Sequence, residues 1–145
     1  MKRLVALIAI VLLLTACNML AATPTPKFCT EIGCSSELTV NLSGNVPGEY
    51  TMQVLANTGE SLVVFCRNGQ YVDQGTPQPN NVLPACGPAN VTLTGFAPDE
   101  ATVTVIWGAN GAITGIFRPA YTISEPNGPG CPPTCRTGAV SLTIP

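Results

Sequence analysis

The sequence predicts an all-β fold: a single antiparallel β-sandwich with an internal repeat, stapled by disulfides. Three observations predict it. Apolar and polar residues alternate in short runs, as in Leu38, Val40 and Leu42 or Val103 and Val105, with Thr and Asn between them. That period of two marks a half-buried strand. Turn residues punctuate the runs about every eight to twelve residues, the spacing of two packed antiparallel sheets. Charged residues are only 10% of the chain, with Thr, Val, Gly and Pro abundant, which suits strands and tight turns better than helices.

The expected strands follow in order: 37–43, 49–57, 60–67, 70–73, 89–95, 101–107, 112–118, 120–124 and 138–144. Gly44 to Gly48 and Gly95 to Asp99 supply turns between them. Thr58-Gly59, Asn68-Gly69 and Asn110-Gly111 are hairpin signals, because Asn and Gly tolerate positive φ. Val72 to Ala85 carries no clean alternation and reads as a long loop between Cys66 and Cys86.

The chain also repeats itself. Val40, Leu42, Gly44, Pro47, Glu49, Thr51 and Val54 recur as Val91, Leu93, Gly95, Pro98, Glu100, Thr102 and Val105, at a constant offset of 51. With one inserted residue, Gly59 matches Gly111 and Phe65 matches Phe117. A third start aligns Cys135, Val140 and Leu142 with Cys86, Val91 and Leu93. Two separate units of about 50 residues would rarely bury enough surface alone, so the repeat is expected inside one sandwich.

The first residues have a different character. Lys2 and Arg3 precede an unbroken apolar run, Leu4 to Leu14, which ends at Thr15, Ala16 and Cys17. A basic start, a short apolar stretch and small residues at the end are the marks of a secretory signal, and the run is shorter than the ~20 residues that span a bilayer. Leu14, Thr15, Ala16 and Cys17 closely resemble the lipobox of bacterial lipoproteins. The resemblance implies a diacylglyceryl group on the Cys17 thiol, cleavage after Ala16 and acylation of the new amino terminus. It places the protein outside the cytoplasm, anchored by lipid to a bacterial membrane. The expected organisation is a signal at 1–16, a lipidated Cys and Pro/Thr tether at 17–28, and a sandwich domain at 29–145. The Thr23-Pro24-Thr25-Pro26 core favours extended polyproline geometry and suits a spacer.

Without residues 1–16 the remaining 129 residues make one domain, in which Lys27, Arg67, Arg118 and Arg136 face eight acidic groups. Four scattered cations give no clustered basic surface for nucleic acid. Of seven cysteines, six remain beside Cys17, an even set that reads as three disulfides in an exported chain. Zinc is the alternative, but zinc sites favour close Cys pairs or His partners, and the chain has no histidine. The repeat favours sequential pairing, Cys29–Cys34, Cys66–Cys86 and Cys131–Cys135. The rival joins Cys29 or Cys34 to Cys131 or Cys135, should the chain ends lie side by side.

Without histidine there is no Ser-His-Asp or Cys-His machinery. The carboxylates Glu49, Glu100, Asp73 and Asp99 leave a glycosidase-like pair or a calcium cluster formally open, yet no Asp-x-Asp-x-Asp-Gly ladder exists. No metal and no cofactor are expected. Tyr71, Trp107 and Tyr121 are the candidate binding residues: Tyr71 opens the irregular loop, and Trp107 sits at a strand end before Gly108. The run Pro47, Gly48, Glu49, Tyr50, Thr51 is similar to the turn-into-strand of immunoglobulin-like and transthyretin-like bacterial modules. That resemblance implies a sandwich and no particular activity. The expected role is a membrane-anchored binding or structural module of the cell envelope, with a protein or polysaccharide partner; the alternative is a carboxylate-dependent carbohydrate-active hydrolase.

Overall fold

A computed structural model describes residues 28–75 and 78–145. Cys17, the signal and most of the tether lie outside the described residues. Ten strands form: β1 (Glu37–Gly44), β2 (Glu49–Ala56), β3 (Ser61–Arg67), β4 (Gln70–Tyr71), β5 (Leu83–Cys86), β6 (Asn90–Thr94), β7 (Ala101–Trp107), β8 (Gly111–Phe117), β9 (Thr122–Ser124) and β10 (Cys135–Ile144). A 3-10 turn, Pro79–Asn81, precedes β5. The strands make two five-stranded sheets, ordered β5-β6-β1-β10-β9 and β4-β3-β2-β7-β8, called sheets A and B below.

Period-two patterning decides which face of each strand is buried. Leu38, Val40 and Leu42 of β1 point inward with Val91 and Leu93 of β6 and Leu142 and Ile144 of β10. From sheet B, Met52 and Val54 of β2, Leu62 and Val64 of β3, and Val103 and Val105 of β7 join the same cluster. One apolar core therefore serves both sheets. Burying a side chain of this kind contributes about 1.5–3 kcal/mol.

Register brings the sequence repeat into contact with itself. Val40 lies opposite Val91 on one side and beside Val140 on the other. In sheet B, Gln53 faces Thr104, while Met52 faces Val105 and Val54 faces Val103. The β2–β3 and β7–β8 registers coincide at a constant offset of 51: Glu49 faces Arg67, and Ala101 faces Phe117 one position beyond. The inserted residue expected between Gly59 and Gly111 is therefore absent from the strand register. Phe65 points to the outer face with Thr51, whereas Phe117 turns inward onto the core, so the two are not equivalent. Parity explains the error, since a one-residue slip moves a side chain to the other face.

Three further expectations are corrected. The sandwich is not wholly antiparallel, because β10 runs parallel to β1 from Glu37–Thr137 to Gly44–Ile144. The chain reaches β10 through β9, which pairs antiparallel to it, and that reversal fixes β10's direction. The irregular loop contains a strand: β5 spans four residues with Pro84 inside, tolerable only because β5 is a sheet edge.

The third correction concerns the bridges. The pairs are Cys29–Cys131, Cys34–Cys135 and Cys66–Cys86; the local pairings 29–34 and 131–135 do not form. Parallel pairing of β1 with β10 sets the segments leading into these strands side by side, and the four cysteines meet there. Asn127 fastens the same junction. Its side chain accepts from Thr30 Oγ1 (2.7 Å) and the Ile32 amide (2.8 Å), and donates to the carbonyls of Ile32 (3.1 Å) and Pro132 (2.6 Å). A buried amide in this position needs all four bonds.

Candidate functional site

The fold has two distinct ends. β1 starts beside the junction of the Cys29–Cys131 and Cys34–Cys135 bridges, and its eight residues carry the chain about 26 Å to Gly44. The short turn after Gly44 leads into β2, so Glu49 and Tyr50 stand at the end remote from residue 28. Trp107, the last residue of β7, reaches the same end, because Thr51 faces Ile106. Tyr71 joins them through its pairing with Cys66, which itself faces Tyr50. Two of the three candidate aromatics thus share the remote end, three strand spacings apart, roughly 14 Å.

Trp107 lines an open cleft of about 210 Å³ with Glu49, Tyr50, Thr51, Phe65, Ile106 and Gly108. Its indole lies over Gly111, the residue paired with it across the hairpin, and a Cβ there would collide with the ring. The absent side chain holds Trp107 flat against the strand end, half-buried, with part of the ring facing the cleft. At the rim, the Arg67 guanidinium is salt-bridged to Glu49 and sits 5.5 Å from the Phe65 centroid. Aromatic and aliphatic walls beside a charged rim suit a ligand with apolar faces and hydroxyl or amide edges. Tyr71 packs on the core and borders a narrower crevice with Val63, Phe65, Val72, Gln74 and Gln78.

Tyr121 has a different task. It lies at the opposite end, its hydroxyl donating to the Pro98 carbonyl at 2.8 Å. Arg136 stacks 4.3 Å above its ring and reaches Asp99 at 2.6 Å. Gly138 leaves room for the ring against β10. This clasp ties sheet A to the approach of β7. Burial pushes the Tyr121 phenol above its ordinary value; Arg136 opposes that shift and Asp99 adds to it.

The carboxylates are dispersed. Ala56 faces Ala101 across β2 and β7, so Glu49 and Glu100 stand at opposite ends of sheet B, more than about 20 Å apart. Each has its own arginine, Arg67 and Arg118 respectively. Those arginines are also 51 residues apart, a signal present in the sequence that the repeat alignment passed over because of the supposed insertion. Asp73 caps its own turn by accepting from the Gly75 amide at 2.8 Å. Among the described residues, no group of three or more acidic or cysteine side chains is placed to hold a metal ion. A second, larger cleft of about 420 Å³ lies at the bridge junction, between residues 29–33 and Asn127, Pro132 and Pro133.

Tyr50 is the buried polar exception. It is 3% exposed, and its hydroxyl has no hydrogen-bond partner among the described residues. Burial raises its pKa above the ordinary 10.0. An unpaired buried hydroxyl costs about 1–3 kcal/mol, so Tyr50→Phe is expected to raise stability by about 1 kcal/mol, measured by urea unfolding at pH 7. For Tyr50 and Tyr121 the neutral phenol is favoured by folding. Their contribution is intact below pH 10 and is lost as pH rises above it. Tyr50→Phe should therefore flatten the alkaline fall in stability; an unchanged profile would show that Tyr50 does not contribute to it.

Comparison with protein-family models, curated proteins and solved structures finds no match for this chain.

Proposed function

We propose that the protein is a lipid-anchored, extracytoplasmic binding module of the bacterial cell envelope, presenting the Trp107 cleft to a protein or polysaccharide partner. The observation that carries this reading is polarity along the strands. The segment leading back to Cys17 leaves from the bridge junction, and the Trp107 cleft lies at the other end, about 26 Å away, with Tyr71 at that same end in a separate crevice. A domain tethered through Cys17 would hold that cleft away from the lipid surface. The three disulfides support an oxidising compartment, in agreement with a secretory signal and a lipobox. Lipidation at Cys17 supplies the anchor in this reading, and the Pro/Thr tether the clearance.

The finer architecture belongs to the same proposal. The domain is a β-sandwich of the immunoglobulin-like or transthyretin-like kind, built from two copies of a three-strand unit about 51 residues long. The self-facing positions Val40–Val91 and Gln53–Thr104 support this, because a local two-fold axis sets equivalent residues opposite one another. The duplicated ion pairs, Glu49–Arg67 and Glu100–Arg118, support it independently.

Two experiments test the two parts. Cys17→Ser is expected to abolish lipid labelling and leave an unprocessed precursor; normal processing and membrane retention of that variant would refute the anchor. For the cleft, the full chain is screened on polysaccharide arrays and against cell-envelope extracts, beside a Trp107→Ala variant. Binding by the parent that Trp107→Ala loses is the expected result, and binding unaffected by Trp107→Ala would refute the site.

A further inference from the structure

The four outer strands of the two sheets are not equally protected. β4 has two residues, β9 three, and β5 four with a proline inside. Short length and proline are the usual devices that stop a sheet edge from pairing with another chain. β8 has neither. It presents seven residues, Gly111–Phe117, at the edge of sheet B, with no proline and no charge among them. Ile116 on its outer face is 70% exposed, while Ile113 and Phe117 on the inner face are only half-buried at the rim of the core.

We propose that the β8 edge is a self-association surface, pairing antiparallel with β8 of a second copy of this chain about a two-fold axis at Thr114. The sequence of the strand selects the second copy. In that register Thr114 meets Thr114, and Ile116 of each chain meets Ala112 of the other, large against small on the outer face. Pairing also completes the burial of Ile113 and Phe117. Charge is compatible with the same register. Arg118, the nearest ionic group beyond the strand, falls opposite Asn110 of the second copy, and the two Arg118 side chains stand about 27 Å apart. That exceeds the ~8 Å Debye length at physiological salt, so they do not repel appreciably. Each Arg118 also keeps its own Glu100. The result is one continuous ten-stranded sheet. Seven paired residues make an interface at the small end of specific ones, under about 1,200 Å², so association is reversible and follows concentration.

Cross-linking of the full chain tests the register. Thr114→Cys is expected to form a disulfide-linked dimer under mild oxidation, read on a non-reducing gel. The parent chain and Ser141→Cys, an exposed position on β10, should give little. Charge provides the second readout, by sedimentation. Like charges directly opposite destabilise a strand pair, so Thr114→Lys and Thr114→Glu should each dimerise about tenfold more weakly than the parent. An equal mixture of the two should restore dimer. Thr114 is exposed, which leaves the core untouched in all these variants. Cross-linking as strong at Ser141→Cys as at Thr114→Cys, a parent that stays monomeric up to about 1 mM, or dimerisation indifferent to charge at position 114 would each overturn the proposal.

Discussion

Replacing Cys29, Cys34, Cys131 and Cys135 together by alanine is expected to lower the unfolding free energy by about 7 kcal/mol, more than the two single-bridge losses combined. The bridges interlace along the chain: they join residues 102 and 101 apart, so each closes nearly the whole domain into one loop. The first closure of a loop that long restricts the unfolded chain by about 4.7 kcal/mol in the chain-entropy description. With one bridge in place, the second closes only the small ring made by residues 29–34 and 131–135, worth about 2.5–3 kcal/mol. Removing either bridge alone therefore costs the smaller amount, since the other still joins the chain ends. Loss of Cys66–Cys86, which spans 20 residues, should cost about 3 kcal/mol. Stabilities of single domains run to about 5–15 kcal/mol, so the fourfold variant falls near or below the folding threshold while each single-bridge variant remains folded. Equilibrium unfolding in urea of the parent, the two single-bridge variants and the fourfold variant measures this. Costs that simply add would mean the bridges constrain independent parts of the chain.

The strands read most easily from the sequence are those in which one face is buried and the neighbour is close in the chain. The hairpins β2–β3 and β7–β8 are such pairs; β1 and β6, whose shared pairing joins distant segments, were legible from their alternation alone, and each of the six lies within a residue or two of its expected bounds. What escaped reading depends on contacts between distant segments. Nothing local to Leu83, Pro84, Ala85 and Cys86 marks a strand; β6 supplies the pairing and Cys66 the staple. Of the sequential cysteine pairs Cys66–Cys86 forms, and the other two give way to the rival pairing of the chain ends for the same reason. Sequential pairing follows the repeat, but the parallel contact of β1 with β10 joins the two ends of the domain, and only topology brings those ends together. At the candidate site, Tyr71 and Trp107 were identifiable as aromatics at strand ends, but their common end depends on two strand registers at once. Tyr121 has the same sequence character and serves a structural clasp, because Arg136 on β10 and Asp99 in the turn before β7 converge on it.

The same dependence on topology gives two glycines of like backbone conformation different sensitivities. Gly44 and Gly95 are 51 residues apart and share the left-handed backbone region, at φ +83° and +89°. A side chain in that region costs about 1–2 kcal/mol wherever it occurs. Gly95 has ordinary space around it, with the nearest atoms to a new Cβ at 3.7 Å, so Gly95→Ala should cost only that conformational amount. Gly44 ends β1 directly beside Ile144 of β10, and a Cβ there would overlap the Ile144 carbonyl oxygen. The obstacle is backbone in a ten-residue strand bonded to its neighbours, and it cannot turn aside as a side-chain tip would. Gly44→Ala must separate the ends of β1 and β10, disturbing the Asn45 amide bond to the Ile144 carbonyl as well. Forced overpacking typically adds about 1–3 kcal/mol to the conformational term, which brings the expected cost to about 3–5 kcal/mol. Thermal or urea unfolding of the two alanine variants reads the difference directly. Equal losses would mean that β10 does not lie against β1 at Gly44, and the parallel pairing that brings the four outer cysteines together would fail with it.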